Sequence, residues 1–335
     1  MFMKLLYESL HSDRQSPAIN ATVGVVVALT HQHRATLHPP GLSFDQETCI
    51  SQILAFSDSG LEDGRPDLLG LQVLLGLLIL HQGLPLHGFS VPRALIARVI
   101  KLTHRLALHR SSANALFDAE TAAQRSRIFW IAYVLDREIS MRTQDPPLQH
   151  DSDHDVAVPP STPGRGLVRL TTATGREVSF DFFLARIRLA RIQGAVYERL
   201  YSVRATKQPA DAYRRSTRET LALLSDWQAT IPPELQPSQL AGVCPQPAAR
   251  QLVTLHFAHL SCVLYAHRVG THEAEWISRL VEYSQRLVGD DAHTSAPESW
   301  PSPKRSVGWA EVVGAARESA KLFRMVDAAD TALLW

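Results

Sequence analysis

The hydrophobic positions along most of the chain recur with the 3.6-residue period of an α-helix, and this pattern predicts an all-α protein. Residues 21–31 and 68–82 are near-continuously apolar, so each is a helix buried on most sides or a buried strand. Leucine-rich composition favours helix for 68–82, while the valines leave 21–31 open between the two. Ser90 and Pro92 supply a cap and a first-turn proline for a helix whose stripe is Leu95, Val99, Leu102 and Leu106. Asp118 opens the next helix, over 118–141, where Ile128, Ile131, Leu135 and Ile139 repeat the pattern until Pro146-Pro147 stops it. A polar, Pro/Gly-rich stretch follows, and the segments 167–172 and 177–180 around Thr174-Gly175 predict a small hairpin.

Farther along, Phe183, Ile187, Ala190, Gly194, Tyr197 and Tyr201 form one stripe, and Tyr213, Thr217, Thr220, Leu224, Trp227 and Ile231 form another. They read as two long antiparallel helices joined near Pro209. Further helices are expected at 248–269, 272–288 and 308–333. The predicted organisation is a multi-helix bundle or α-array in two packed halves: an N-terminal helical half over 1–145, a connector over 146–181 and a C-terminal helical half over 182–335.

Composition narrows the function classes. The 335 residues are 45% hydrophobic and 20% charged, which suits a globular chain with a sizeable core. Lys plus Arg number 34 against 33 Asp plus Glu, and a net charge of +1 supplies no global field to hold a nucleic-acid backbone or an anionic membrane. Cys49, Cys244 and Cys262 are too few and too scattered for a disulfide framework or a zinc module, and fit a reducing compartment. Glu8 interrupts the start before a signal-peptide core builds up, and the longest apolar run, 68–80, is broken by Gln72 and falls short of the roughly 18 residues a spanning helix needs. No membrane anchor is expected. The apolar helical pattern is still running at Leu333-Leu334-Trp335, which leads us to expect further chain beyond it.

The run His150-Asp151-Ser152-Asp153-His154-Asp155 starts like a calcium loop, but Val156 stands where the sharp turn wants glycine and Thr162 where a bidentate glutamate should sit. A solvated acidic loop is the better reading. His256, His259 and His267 share a helical face, yet His267 lies about 12 Å beyond His259 at ~1.5 Å per residue, so packing histidines are favoured over a metal site. A terpenoid-synthase reading needs an asparagine-led second motif, and neither Asn20 nor Asn114 begins one. Gly88-Phe89-Ser90-Val91-Pro92 has proline where a nucleophile elbow turns on glycine, and Gly164-Arg165-Gly166 lacks the third glycine of a phosphate loop.

A different cluster is more specific. Leu-Ala-Leu-His-Arg from Leu106 is followed by a spacer to Glu120 and then by Gln124-Arg125-Ser126-Arg127-Ile128-Phe129-Trp130-Ile131-Ala132-Tyr133-Val134-Leu135-Asp136-Arg137. After Pro146-Pro147 comes Asp151-x-Asp153-x-Asp155-Val156-x-Val158-Pro159. Together with Leu71-Gln72-Val73-Leu74-Leu75, Trp227, Ile231-Pro232-Pro233-Glu234-Leu235, Leu255-His256 and His267-Arg268, this order resembles the regulatory domain of fungal-specific transcription factors, the middle homology region of zinc binuclear cluster regulators. The resemblance covers about residues 5 to 330. It departs from the family pattern in three places. Ala107 replaces a glycine, a mild change; Gln144-Asp145-Pro146 replaces Gly-Arg-Pro; and no C-x2-C-x6-C series occurs in the 335 residues.

The resemblance implies a regulatory, non-catalytic domain with no cofactor of its own, in the nucleus and also the cytoplasm. It implies partners in the transcription machinery or a homologous regulator, DNA contact only through a zinc-cluster module, and room for a small-molecule effector. A stand-alone interaction protein that modulates a full-length regulator is the alternative. Signature positions carried over are Arg125, Arg127, Phe129, Trp130, Tyr133, Asp136, Arg137, Pro146, Asp153 and Pro159. Structural roles are expected for most of them, with the rings of Trp130 and Tyr133 set against the helix around 95–108. Trp130, Tyr133 and Arg137, on one face, are the candidates for effector contact.

Overall fold

The computed structural model describes residues 17–35, 50–51, 67–82, 90–161, 167–171, 175–240, 246–268 and 309–326. The architecture is all-α with one small sheet, and the chain forms two compact units. The first comprises Met1–Arg169, Ser179–Arg191 and Val326–Trp335; the second comprises Leu170–Val178 and Ile192–Met325.

In the first unit, α1 (Pro17–Ala35) packs on α2 (Leu68–Gln82), α2 on α3 (Ser90–Arg105), and α3 on α5 (Ala119–Thr143). The valine-rich segment is thus a helix. Its close approach to α2 rests on Gly76, where a Cβ would lie 2.3 Å from Val25 Cγ1. Nearly every face of α2 is buried, as its unbroken leucines require, and only Ile79 among its large apolar residues is exposed. Asp67 caps it by accepting from Gly70 N–H at 2.7 Å.

The end of α3 is a Schellman motif: Leu108 N–H donates to Thr103 C=O at 3.0 Å and Ala107 N–H to His104 C=O at 2.9 Å. Ala107 takes the left-handed conformation there, with φ 51°. The exchange of glycine for alanine is therefore not the mild change expected, because a Cβ sits at a backbone position that glycine occupies without steric cost. A four-residue helix α4 (Ser111–Asn114) follows, then α5, whose C-capping residue Gln144 is also left-handed at φ 61°.

The hairpin is present as β1 (Leu167–Thr171) and β2 (Glu177–Asp181), with Val178 and Phe180 alternating inward and Gly175 at φ 79° between the strands. Helix α6 (Phe182–Val196) follows. The long helix expected to run on to Tyr201 does not do so. Tyr197–Tyr201 forms a π-helical turn closed by Ser202 N–H to Tyr197 C=O at 2.9 Å, and Ser202 Oγ then caps the short α7 (Val203–Thr206). The apolar spacing of four is shared by an α-helix and this wider turn, so periodicity alone does not separate them.

In the second unit, α8 (Ala210–Ala229) packs on the π turn and on α9 (Gln246–Arg268), and α9 packs on α10 (Trp309–Phe323). Leu224, Trp227, Ile231, Leu235 and Leu240, and Leu252, Val253 and Leu255 of α9, are buried. Gln236 Nε2 holds the Pro232-Pro233 turn by donating to Gln228 C=O and Ile231 C=O at 2.9 and 3.0 Å. His256 Nε2 donates to Leu235 C=O at 2.7 Å, and His259 Nε2 donates to Leu224 C=O at 3.2 Å while stacking on Trp227. These two histidines pack the helix. The helix expected over 272–288 lies outside the described residues.

Candidate functional site

Helix α5 is the centre of the first unit. Asp118 starts it by accepting from Glu120 N–H, Thr121 N–H and the Thr121 hydroxyl at 3.1, 3.0 and 2.7 Å, and this hydroxyl and its N–H partners hold the Asp118 carboxyl below the usual carboxylate range. Beyond that turn both faces of the helix are buried. Ile128, Leu135 and Ile139 lie on one side, and Phe129, Trp130, Tyr133 and Arg137 contribute the rest. Trp130 and Tyr133 join the same core cluster as Leu95, Val99 and Leu102 of α3.

The polar ends of these side chains go elsewhere, to the loop that follows the helix. Asp136, fully buried, accepts from Leu148 N–H at 3.0 Å, from Gln149 N–H at 3.1 Å and from Arg137 Nη1 at 3.1 Å. Arg137 Nη2 donates to Asp151 Oδ1 at 2.8 Å, and the Tyr133 hydroxyl donates to the same oxygen at 2.6 Å. The guanidinium lies over the Tyr133 ring, 4.4 Å from its centroid. Trp130 Nε1 and Ser126 Oγ both donate to Ala157 C=O, at 3.0 and 3.3 Å.

His154 sets its ring among Phe129, Trp130 and Tyr133 at 5.0, 5.3 and 5.6 Å, and Arg191 of α6 covers the Trp130 ring at 5.0 Å. The outer side of the loop is fastened as well. His104 Nε2 donates to Gln149 Oε1 at 2.7 Å, Arg93 reaches Pro146 C=O and Asp145, and Ser111 donates both N–H and hydroxyl to Asp155 at 2.6 Å. The acidic loop expected to be merely solvated is thus tied down at Asp151 and Asp155.

Electrostatics follow from burial. Desolvation pushes the Asp136 carboxyl up, against the pull of the Gln149 and Leu148 N–H groups and Arg137. The Tyr133 phenol is raised by burial and stays a neutral donor. Burial would lower the Arg137 pKa, but Tyr133, Asp136 and Asp151 outweigh it and keep the guanidinium charged. Burial also lowers the pKa of His154.

The remaining signature residues are placed as follows. Arg125 leaves the clamp and braces the turn before it, donating to Asn114 Oδ1 at 2.8 Å and Leu106 C=O at 2.6 Å with its guanidinium over Phe117. Arg127 lies over the Phe183 ring at 4.7 Å. Asp153 is exposed, accepts from Ser152 Oγ at 3.3 Å and stands apart from the clamp, and Pro159 is half-buried at the end of the loop. The structure therefore brings together Phe129, Trp130, Tyr133, Asp136 and Arg137, with Asp151, His154 and Gln149 as their partners. Asp151 and His154 were visible in the acidic run; nothing in the pattern marked Gln149 or Asn114. Among the described residues, no group of three or more His, Cys, Asp or Glu side chains is placed to hold a metal ion, and no helix is long and apolar enough to cross a membrane.

Comparison with known proteins places this clamp in context. The model of the fungal specific transcription factor domain matches residues 24–229, which include all of α5 and its loop. The chain belongs to the fungal specific transcription factor domain family. Among relatives of this domain, an ABC-transporter-regulating transcription factor of Aspergillus fumigatus is 31% identical over 316 residues, covering 94% of this chain and 34% of that protein. A protein of the same description from Aspergillus oryzae is 30% identical over the same shares of each chain. A Fusaridione A cluster transcription factor of Fusarium heterosporum is 28% identical over 184 residues, 55% of this chain and 33% of that one. The chain thus spans about a third of the length of these three curated relatives. No solved structure matches it.

Proposed function

We propose that this domain is the regulatory part of a nuclear transcription regulator that controls ABC-transporter genes through protein partners, without catalysis or a cofactor of its own. The observation that carries the reading is the similarity over 94% of the chain to two Aspergillus proteins described as ABC-transporter-regulating transcription factors. The geometry supports a scaffold role. The charged groups of α5 are taken up by the helix's own loop, in a chain from buried Asp136 and Arg137 to Asp151, where reacting groups would need to face a substrate. DNA contact is made through a zinc-cluster module, for which these 335 residues contain no cysteine series.

The test is a transplant. The matching segment of the Aspergillus fumigatus relative is replaced by this chain, and ABC-transporter transcripts are measured beside those of a strain lacking the segment. Restored transcripts support the reading; a chimera that accumulates normally in the nucleus yet leaves transcripts at the deletion level would overturn it.

A further inference from the structure

Asp151 differs from the other members of the clamp. Its side chain is 58% exposed, while the two donors it satisfies, Arg137 and Tyr133, are 3% and 0% exposed. A guanidinium and a phenol hydroxyl converging on one carboxylate oxygen, at 2.8 and 2.6 Å, are the protein half of a carboxylate-binding site. Both are preorganised from behind: Asp136 holds Arg137 Nη1, and the guanidinium stacks on the Tyr133 ring. Two buried polar atoms lack a partner here, Arg137 Nε and His154 Nδ1.

Beside the carboxylate position, the flat ring of His154 fills the space framed by Phe129, Trp130 and Tyr133. Asp151 opens the short turn Asp151–Asp153 and His154 follows it. That turn lies between two fixed points, Gln149 N–H on Asp136 and Asp155 on Ser111.

We propose that Arg137, Tyr133 and the Phe129 and Trp130 rings form an effector site for an aromatic carboxylate, and that the domain's own Asp151 and His154 occupy it at rest. The ligand's carboxylate replaces Asp151 and its ring replaces His154, which releases the turn 150–154 to the surface. This deepens the regulatory reading by naming the chemistry of its effector. It is tested on the purified chain, so its failure is separate from any failure in transcription.

The tethered Asp151 competes at an effective concentration of ~mM or more, so its removal unmasks the site. Sodium benzoate is titrated against wild type, Asp151→Ala and Asp151→Ala/Tyr133→Phe by calorimetry and by melting temperature, with benzamide as the neutral isostere. The expected result is benzoate binding to D151A about tenfold or more tighter than to wild type, a melting temperature that rises with benzoate concentration, weaker binding in the double variant and none of benzamide. Equal effects of benzoate and benzamide, or a folded D151A that ignores benzoate, would refute the site. Should D151A unfold, Asp151→Asn takes its place, and folding that returns on adding benzoate supports the proposal. Failure of both variants to fold with or without benzoate would count against it.

Discussion

Two residues hold left-handed backbone without being glycine. Ala107 and Gln144 end α3 and α5 at φ 51° and 61°. A Cβ in that conformation costs about 1 kcal/mol relative to glycine. Ala107→Gly and Gln144→Gly should each raise stability by up to about that amount, read as a higher urea midpoint with an unchanged slope; a lower midpoint would show that the side chain earns its place. Trp130 is the opposite case, a fully buried ring whose Nε1 also pins Ala157. Truncating it to alanine should cost about 3–5 kcal/mol, a large part of the roughly 5–15 kcal/mol a domain possesses. Trp130→Ala in a reporter fusion to a heterologous DNA-binding domain should lose melting temperature and output together. Unchanged melting with lost output would make Trp130 an effector contact alone.

At the scale of elements, the contact between α1 and α2 depends on the missing side chain of Gly76. A methyl group there meets Val25 Cγ1 at 2.3 Å, so Gly76→Ala should destabilise by about 1–3 kcal/mol. Combining it with Val25→Ala should cost clearly less than the sum of the two changes, a coupling that a double-mutant cycle in urea measures directly; simple additivity would mean that the helices do not approach as described. The helices themselves were legible because leucine-rich stripes and proline stops mark them, as in α2 and at Pro146-Pro147 after α5. The hairpin was legible from Gly175 and the alternation of Val178 and Phe180. The π turn was not, since Tyr197 and Tyr201 keep helical spacing through it. In the clamp, helical spacing already put Trp130, Tyr133 and Arg137 on one face. The choice of Asp151 over Asp153, and the parts played by Gln149 and Asn114, depend on how the loop backbone folds back, which no periodicity encodes.

At the scale of the whole molecule, five described histidines contribute a response to acid. Burial lowers the pKa of His109, His154, His256, His259 and His267, and that of His259 falls from 6.5 to about 4. In the unfolded chain these rings take a proton near pH 6.5, whereas the folded chain resists it. Stability is therefore full above pH 6.5 and declines as the pH falls toward 4, where folded His259 begins to titrate too. For His259 alone the decline amounts to about 3 kcal/mol. The urea midpoint should drop between pH 7.5 and 4.5, and His259→Gln, which can still donate to Leu224 C=O, should flatten that drop. A profile that the substitution leaves unaltered would place the acid sensitivity elsewhere.

The clamp also bears on how the chain reaches its native state. The hydrogen bonds from the α5 side chains Ser126, Trp130, Tyr133, Asp136 and Arg137 to the loop span only 12 to 31 residues of sequence. Closing such short loops demands little entropy, so helix and loop can assemble as one cooperative segment early, before more distant helices dock. In native-state hydrogen exchange, the amides of Leu148 and Gln149, though they lie in a loop, should open with those of the middle of α5 and share their protection.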